Sequence, residues 1–267
     1  MASRFYVPPE QIRDNRFVIL GPEARHASVV LRKKTGDTID LFDGRDLSYQ
    51  GRIESISSER VEGQILSEKK AAPAGRVELI LCLALLKGAR WDWLVEKACE
   101  VGVAKLIPLL TARTVVKPAK PEARDRWRRI ALAASKQCGR TDVMDVTSPK
   151  SLNDALKDLP KSGLALIPWE KETELTIREA LVSSPAAAGR GSIRAISAYD
   201  GPPTTTSGVT RSVAIFIGPE GGWETGEVEL ARRHGVLPVH LGPTLLRSET
   251  AGLVAATLVL AELGVYS

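Results

Sequence analysis

The chain has 267 residues, of which 43% are hydrophobic and 26% are charged, and its formal net charge is +5. This balance is typical of a soluble globular protein, and the length allows one large or two ordinary domains. The three cysteines, Cys82, Cys99 and Cys138, are scattered and fit neither a disulfide framework nor a zinc site.

The ends of the sequence offer no targeting signal. The first residues, "MASRFYVPPEQIRDNRF", contain no apolar core of a secretory signal. The apolar run from Ala251 is interrupted by Glu262 and is too short to span a bilayer. We therefore expect a cytoplasmic protein without a membrane partner.

Residues 1–70 are predicted to be rich in β-strands. Short β-prone runs such as "RFVIL", "DTIDLFDG" and "RVEGQILS" are separated by Gly, Asp and Ser. The stretch "FDGRDLSYQGRI" predicts a hairpin with Gly44 near its turn. Together these runs predict a small barrel, followed by a linker from Lys69 to Arg76.

Residues 77–267 alternate between predicted strands and helices, which is typical of α/β proteins. The run "VELILCLALL" predicts a buried parallel strand, and "WDWLVEKACEVGV" has helical spacing. Strands "AKLIPLL" and "VMDVTS" flank a basic helix, and "GLALIPWE", "VAIFIGPE" and "LPVHLGP" predict three later strands. Pro185 to Arg211 is rich in Gly, Ser, Thr and Pro and is predicted to be a long surface excursion. The last helix, "ETAGLVAATLVLAELG", is apolar nearly all round, which predicts burial in the core or in a subunit interface.

The three later strands all end at Pro or Gly-Pro. Ligands of open α/β sheets bind beyond the carboxyl ends of the strands, so these ends are expected to line one cavity. Backbone polar groups and apolar side chains there suit a flat uncharged ring such as adenine. The glycines of "IGPEGGW" fit neither a dinucleotide fingerprint nor a P-loop, and Glu220 would repel a phosphate.

Basic residues cluster in two segments, "RHASVVLRKKTGD" and "RDRWRRIALAASKQCGR". Two such clusters favour a polyanionic partner such as RNA. Ordinary solvated helix faces are the alternative. His26, His234 and His240 do not cluster with cysteines, so no metal site is predicted.

These motifs together resemble one family. "IGPEGGW", "LGPTLLRSETA", "KGARWDWLVEKACEVGV" and "QCGR", with the N-terminal "RFYV", are similar to the RsmE-type 16S ribosomal RNA uridine-N3 methyltransferases of the SPOUT superfamily. The resemblance covers nearly the whole chain in order. It implies a PUA-like N-terminal β-barrel for RNA binding and an α/β domain with a deep trefoil knot. It also implies S-adenosylmethionine as cofactor, a homodimer, and 16S rRNA, within the small ribosomal subunit, as substrate.

The strand ends and the resemblance together predict the site residues. Arg247 is expected to stabilise charge on the uracil or to grip a phosphate, unless a carboxylate pairs with it. Glu170 is the first candidate for a general base. Glu220 is expected to order its own loop, Glu249 is either structural or a base, and Trp223 is expected to be a packing lid. The predicted cofactor-binding residues are Leu166, Pro168, Ile217, Gly218, Glu220, Gly222, Leu241, Gly242 and Leu246, and the predicted RNA-binding residues are Arg4, Arg25, Arg32, Lys33, Lys34 and Arg140.

Two features depart from the family, and two rival functions remain. Lys136 stands where the family often has an acidic residue, and the excursion from Pro185 to Arg211 is unusually long. A SPOUT methyltransferase acting on transfer RNA or 23S rRNA would share these motifs. An RNA-binding protein without catalysis would need the basic clusters but no adenine pocket.

Overall fold

The computed structural model of the chain describes residues 4–70, 77–116, 121–160, 163–183 and 211–266. Residues 71–76 of the predicted linker and residues 185–210 of the predicted excursion lie outside these ranges.

Contacts within the chain divide it into two units. The first contains Met1–Ala72 and Ala131–Met144, and the second contains Pro73–Ile130 and Asp145–Ser267. Residues 131–144 thus belong to the first unit, although they lie within the range 77–267 that the sequence analysis assigned to the α/β domain.

The first unit is built on one six-stranded sheet. Its strand order is β1-β4-β5-β6-β3-β2, and only the β1–β4 pair is parallel. The predicted hairpin is confirmed, since β4 and β5 pair antiparallel around Gly44, whose φ is 76°. The strands are β1 (Arg4–Tyr6), β2 (Ile12–Arg13), β3 (Arg16–Leu20), β4 (Thr38–Phe42), β5 (Leu47–Ile56) and β6 (Arg60–Lys70), and the helical segments are a 3-10 turn (Pro9–Gln11), α1 (Pro22–Arg25) and a π-helical turn (His26–Val30).

The core of this sheet is organised around Phe17, which is fully buried. Gly51 and Gly63 lie on the two neighbouring strands β5 and β6. A Cβ atom at either position would come within 2.6 Å of the Phe17 ring. These glycines therefore provide the space for the aromatic ring, which is one reason for glycine within a strand.

The second unit is a parallel α/β sheet, as predicted. The order is β10-β8-β7-β12-β11-β13, with β9 also paired to β8, and every recorded pair is parallel. The strands are β7 (Val77–Ala84), β8 (Lys105–Leu110), β9 (Asp145–Val146), β10 (Lys150–Ser151), β11 (Leu164–Pro168), β12 (Arg211–Ile217) and β13 (Leu237–Val239), and the helices are α2 (Ala89–Val101), α4 (Leu152–Lys157), α5 (Ile177–Ser183), α6 (Thr225–Arg233) and α7 (Ser248–Glu262). Helix α3 (Pro121–Cys138) is divided between the units, since its residues up to Ile130 belong to the second unit and those from Ala131 to the first.

Helix α7 packs on the sheet through a glycine. A Cβ atom at Gly252 would lie 2.6 Å from Leu83 Cδ1, so a larger residue there would force the Leu83 side chain on β7 to shift. Ala255, Ala256 and Val259 are fully buried, whereas Leu258 is 40% exposed. The predicted burial of this helix is therefore confirmed for most of its surface.

No helix in the described ranges combines the length and the apolar character that crossing a bilayer requires. Within those ranges, no three His, Cys, Asp or Glu side chains are placed to hold a metal ion.

Candidate functional site

The second unit contains a cavity of about 810 Å³ at the carboxyl ends of three adjacent strands. Strand β11 lies between β12 and β13, and all three are parallel. The loops that follow them therefore leave the sheet at the same edge and enclose one space. The structure thus brings together the three strand ends that the sequence analysis singled out.

The glycine turn from Gly218 to Gly222 forms one wall of the cavity. Gly222 N donates to Pro219 O at 2.9 Å, and Gly222 has φ 69°, a conformation that favours glycine. A Cβ atom at Gly218 would lie 3.1 Å from the Trp223 indole. The turn is therefore packed tightly against this ring on one side and has no room for a side chain there.

Two arginines hold this turn in place. Arg113 Nη1 donates to Gly221 O at 2.7 Å, and Arg113 Nε lies 3.6 Å from the Glu224 carboxylate. Arg90, at the start of α2, donates a hydrogen bond to the carboxylate of Glu220. That bond, with a smaller contribution from Glu249, raises the pKa of the Arg90 guanidinium. Glu220 thus orders its own loop, as predicted, but it does so through an ion pair.

The segment from His240 to Ser248 forms another wall. It is anchored at its start, where His240 N donates to Leu175 O at 2.9 Å. Gly242 follows with φ 113°, and a Cβ atom there would meet nothing within 4 Å. Leu245 is 89% exposed, and Arg247 ends the segment as the N-cap residue of α7.

The cavity wall carries charged groups of both signs. Glu170 is exposed, and its carboxylate lies beside Gly222. Glu172 accepts hydrogen bonds from Glu174 N and Leu175 N, and the backbone bond from Glu174 makes the largest contribution to lowering its pKa. Arg247 is exposed, and its side chain makes no hydrogen bond or ion pair with the described part of the chain, so the predicted alternative of a carboxylate partner is not observed.

Buried polar atoms without partners also mark this region. Trp169 Nε1, Trp223 Nε1 and Glu249 Oε2 are buried and have no hydrogen-bond partner among the described residues. Buried polar groups are nearly always satisfied in folded proteins, so each unpaired atom calls for an explanation such as a ligand or an ordered water. Trp223 is 4% exposed and belongs to the apolar core, so the predicted packing role is consistent with its burial.

Most predicted cofactor residues and both predicted catalytic residues line the cavity, but Leu166 does not. Leu166 is fully buried within β11, paired with Ile215 and Leu237 of the neighbouring strands. The cavity begins only at Pro168 at the end of this strand, so a cofactor contact of Leu166 stays a prediction. The predicted residues that line the cavity are Pro168, Glu170, Ile217, Gly218, Glu220, Gly222, Leu241, Gly242, Leu246 and Arg247.

Several other residues line the cavity without having been predicted from the sequence, among them Arg90, Trp169 and Glu172. The motif "KGARWDW" contained Arg90, but no spacing rule relates it to a turn 130 positions later. Trp169 and Glu172 come shortly after Pro168 in the chain. The prediction of a functional strand end could therefore have been extended to them.

The predicted RNA-binding residues of the first unit fall into two groups. Arg25, Arg32 and Lys34 are exposed, and Lys33 is partly exposed. Arg4 and Arg140 are instead tied to each other, since Arg4 Nη1 donates to Arg140 O at 3.0 Å. The Arg140 side chain is only 14% exposed and pairs with Asp142, so both residues serve the packing of this unit.

Lys136, the departure noted in the sequence, has a partner within the first unit. Its Nζ atom lies 2.7 and 2.8 Å from the two carboxylate oxygens of Glu23 at the start of α1. Both side chains are mostly buried. Lys136 thus has a structural role. An acidic residue at this position would repel Glu23.

Family models match both parts of the chain. An RNA methyltransferase domain matches residues 73–260, and an RNA methyltransferase PUA domain matches residues 19–66.

Curated relatives extend over nearly the full length. Ribosomal RNA small subunit methyltransferase E of Bacillus subtilis is 30% identical over 248 residues, covering 90% of this chain and 87% of the relative. The Synechocystis protein of the same name is 27% identical over 256 residues, covering 96% of this chain and 76% of the relative.

Solved structures share the fold. A ribosomal RNA small subunit methyltransferase E from Neisseria gonorrhoeae, bound to S-adenosyl methionine, has a TM-score of 0.76 and 26% identity over the full length of both chains. A putative methyltransferase from Legionella pneumophila, in complex with the cofactor SAM, has a TM-score of 0.77 and 29% identity over 98% of both chains.

Proposed function

Because the chain belongs to the ribosomal RNA small subunit methyltransferase E family of RNA methyltransferases, we propose that it transfers a methyl group from S-adenosylmethionine to N3 of a uridine in 16S ribosomal RNA. The observation that carries this proposal is the cavity at three adjacent parallel strand ends, with its glycine turn and apolar wall.

The residues of the cavity fit the proposed cofactor. Its volume of about 810 Å³ is within the usual range of small-molecule sites. Ile217, Leu241 and Leu246 supply an apolar surface for a purine, and the unpaired indole N–H groups of Trp169 and Trp223 are donors without acceptors. Glu170, which has no ion pair within the described ranges, would disfavour a phosphate at this wall. S-adenosylmethionine, when bound, supplies an electrophilic methyl group on a positively charged sulfur.

The chain's own residues would then handle the uridine. N3 lies on the Watson–Crick edge, so the base must be unpaired or flipped before it enters the cavity. Glu170 would accept the N3 proton, because it is exposed on the cavity wall and no hydrogen bond or ion pair to the described residues occupies it. Arg247 would face negative charge on the uracil oxygens or a phosphate, since its guanidinium has no partner among the described residues.

The first unit would grip the RNA. Arg25, Arg32 and Lys34 are exposed around the π-helical turn, next to the exposed apolar side chains of Val29 and Val30. Basic side chains bind phosphates and apolar side chains contact bases or sugars. We infer that this surface positions the substrate, and that the reaction takes place in the cytoplasm, where the small ribosomal subunit is found.

A homodimer through α7 and its neighbourhood is part of the proposal. Leu258 on α7, Val182 on α5, and Val265 and Tyr266 after α7 are all at least 40% exposed. Replacing Leu258 by Lys should shift sedimentation of the full chain from dimer to monomer, and an unchanged dimer would place the interface elsewhere. The deep trefoil knot stays a prediction from the family resemblance.

The decisive experiment compares modified nucleosides of ribosomal RNA in cells with and without the gene. Mass mapping should show one N3-methyluridine in 16S rRNA that disappears with the gene and returns with a plasmid copy. Loss of a methyl group from transfer RNA or 23S rRNA instead would favour the rival SPOUT substrate. No change in any RNA, together with no calorimetric binding of S-adenosylmethionine, would support an RNA-binding protein without catalysis.

A further inference from the structure

Arg90 joins two walls of the cavity that belong to different parts of the chain. It lies in the first turn of α2, and its guanidinium donates to Glu220 in the glycine turn. The same Nη1 atom lies 3.9 Å from Glu249 Oε1, in the first turn of α7. The Arg90 side chain thus contacts both the glycine turn and the first turn of α7, between which the proposed cofactor would bind.

The two carboxylates differ in their surroundings. The Glu220 side chain is 56% exposed, so water can solvate it when Arg90 is absent. The Glu249 side chain is only 10% exposed, and its Oε2 atom has no hydrogen-bond partner in the described ranges. A buried carboxylate needs a compensating positive charge, and Arg90 is the cation that the structure places beside it.

The geometry suits an arginine at this position. A guanidinium carries five N–H donors in a rigid plane, so it can donate to Glu220 while it faces Glu249. The ammonium group of a lysine is a compact point charge on a flexible stem and fixes the distance between two acceptors less well.

We propose that Arg90 is a positioning residue of the cavity, which sets the glycine turn against the first turn of α7 by bridging Glu220 and Glu249. The inference rests on the proposed function, because the walls that Arg90 positions are those that would hold S-adenosylmethionine. Arg90 acts on ligand binding through these walls and does not take part in proton or methyl transfer.

The test measures cofactor affinity by calorimetry with S-adenosylmethionine and S-adenosylhomocysteine as probes. Arg90→Ala should weaken binding of both by about 10-fold or more, because the walls lose their fixed spacing. Arg90→Lys should recover part of the affinity, since the charge remains. Single-turnover methylation at saturating cofactor should stay within about threefold of wild type, so the effect falls on KM for the cofactor and spares kcat.

Two further variants control the experiment. Lys150→Ala removes a different ion-paired cation, the partner of Asp158, which lies in the same unit but does not line the cavity. This variant should leave cofactor affinity unchanged. Glu220→Gln keeps the shape of the turn and removes the negative charge at one end of the bridge. It should also weaken binding, which keeps the proposal testable if Arg90→Ala fails to fold.

The outcomes separate this inference from the proposed function. Wild-type affinity in Arg90→Ala or in Glu220→Gln overturns the positioning role while the methyltransferase assignment stands. A slowed single-turnover rate at saturating cofactor, with normal affinity, also overturns it. Failure of the wild-type chain to bind either probe overturns the proposed function itself.

Discussion

The Glu170 carboxylate lies directly against Gly222, so that a Cβ atom at Gly222 would approach Glu170 Oε1 to 3.0 Å. The two residues come from the ends of β11 and β12, which are neighbours in the sheet. The glycine thus allows the carboxylate to sit at the mouth of the turn. Any side chain at position 222 would displace the group that we propose as the proton acceptor.

Gly222→Ala tests this relationship. The alanine would be strained because φ is 69°, and its Cβ would press on Glu170. We expect a loss of about 1–2 kcal/mol in the free energy of unfolding and a methylation rate reduced about 10-fold or more. The control is Gly226→Ala in α6, where a Cβ meets nothing within 4 Å and alanine should stabilise the helix. Equal effects of the two variants would contradict the special role of Gly222.

Glu170→Gln tests the proposed proton acceptor. The amide keeps the size of the side chain but cannot take up the N3 proton. Single-turnover methylation at saturating RNA and cofactor should slow by roughly 10²–10⁴-fold, while the dissociation constant for S-adenosylmethionine should change little. Glu174→Gln, an exposed neighbour that does not line the cavity, should methylate normally. A normal rate in Glu170→Gln would exclude this residue as the base.

Arg247→Ala separates chemistry from docking. Arg247 has no partner in the described part of the chain, so its removal should leave the fold and RNA binding nearly intact. Single-turnover methylation should slow by about 10²-fold or more if Arg247 resembles an oxyanion donor. Filter binding and rapid quench measure the two quantities. Weakened RNA binding with a normal rate would instead assign Arg247 to a phosphate contact.

The triple change of Arg32, Lys33 and Lys34 to Ala tests the RNA surface of the first unit. RNA affinity should fall, and the slope of log K against log salt should decrease by about 0.7 for each lost contact to single-stranded RNA. Cofactor affinity should not change, and saturating RNA should largely restore the rate. Changing Arg16 and Arg60 to Ala removes two ion-paired arginines of the same unit and serves as the control. An unchanged salt slope in the triple variant would exclude this surface.

The lowered pKa of Glu172 predicts a pH-dependent stability. The backbone hydrogen bond from Glu174, with a further bond from Leu175, favours the ionised carboxylate in the folded state. This stabilisation is present above the unfolded pKa of about 4.3 and is lost as the pH falls through the lower folded pKa. Glu172→Gln should therefore lower the melting temperature at pH 7, by about 2 °C, with the difference vanishing in acid. A difference that persists at pH 2 would have another cause.

Local patterns in the sequence determined much of the architecture. The apolar runs at Val77, Leu164 and Arg211 are strands because each is short, continuous and bounded by glycine, proline or polar residues. The helical spacing of Trp91, Leu94 and Val95 predicted a buried helix face, and these residues are buried. Such predictions succeed because hydrophobic periodicity acts over a few residues and depends little on the rest of the chain.

The position of the cavity could also be predicted from the sequence, because the carboxyl ends of parallel strands lie at one edge of the sheet. The sequence did not reveal that β11, β12 and β13 are adjacent, but their common ending with proline made a shared cavity a testable expectation. Leu166 does not line the cavity, whereas Pro168 at the end of β11 does, and both residues belong to one apolar run in the sequence.

Only the tertiary structure decided which charged groups meet. Arg90 reaches Glu220 across 130 positions, and Lys136 reaches Glu23 across 113 positions. The tertiary structure also showed that the Arg4 side chain donates a hydrogen bond to the Arg140 carbonyl oxygen. The Arg247 side chain, in contrast, has no partner among the described residues. Electrostatic pairing depends on distances between side chains that are remote in sequence, and these distances are fixed only when the sheet and its helices have packed.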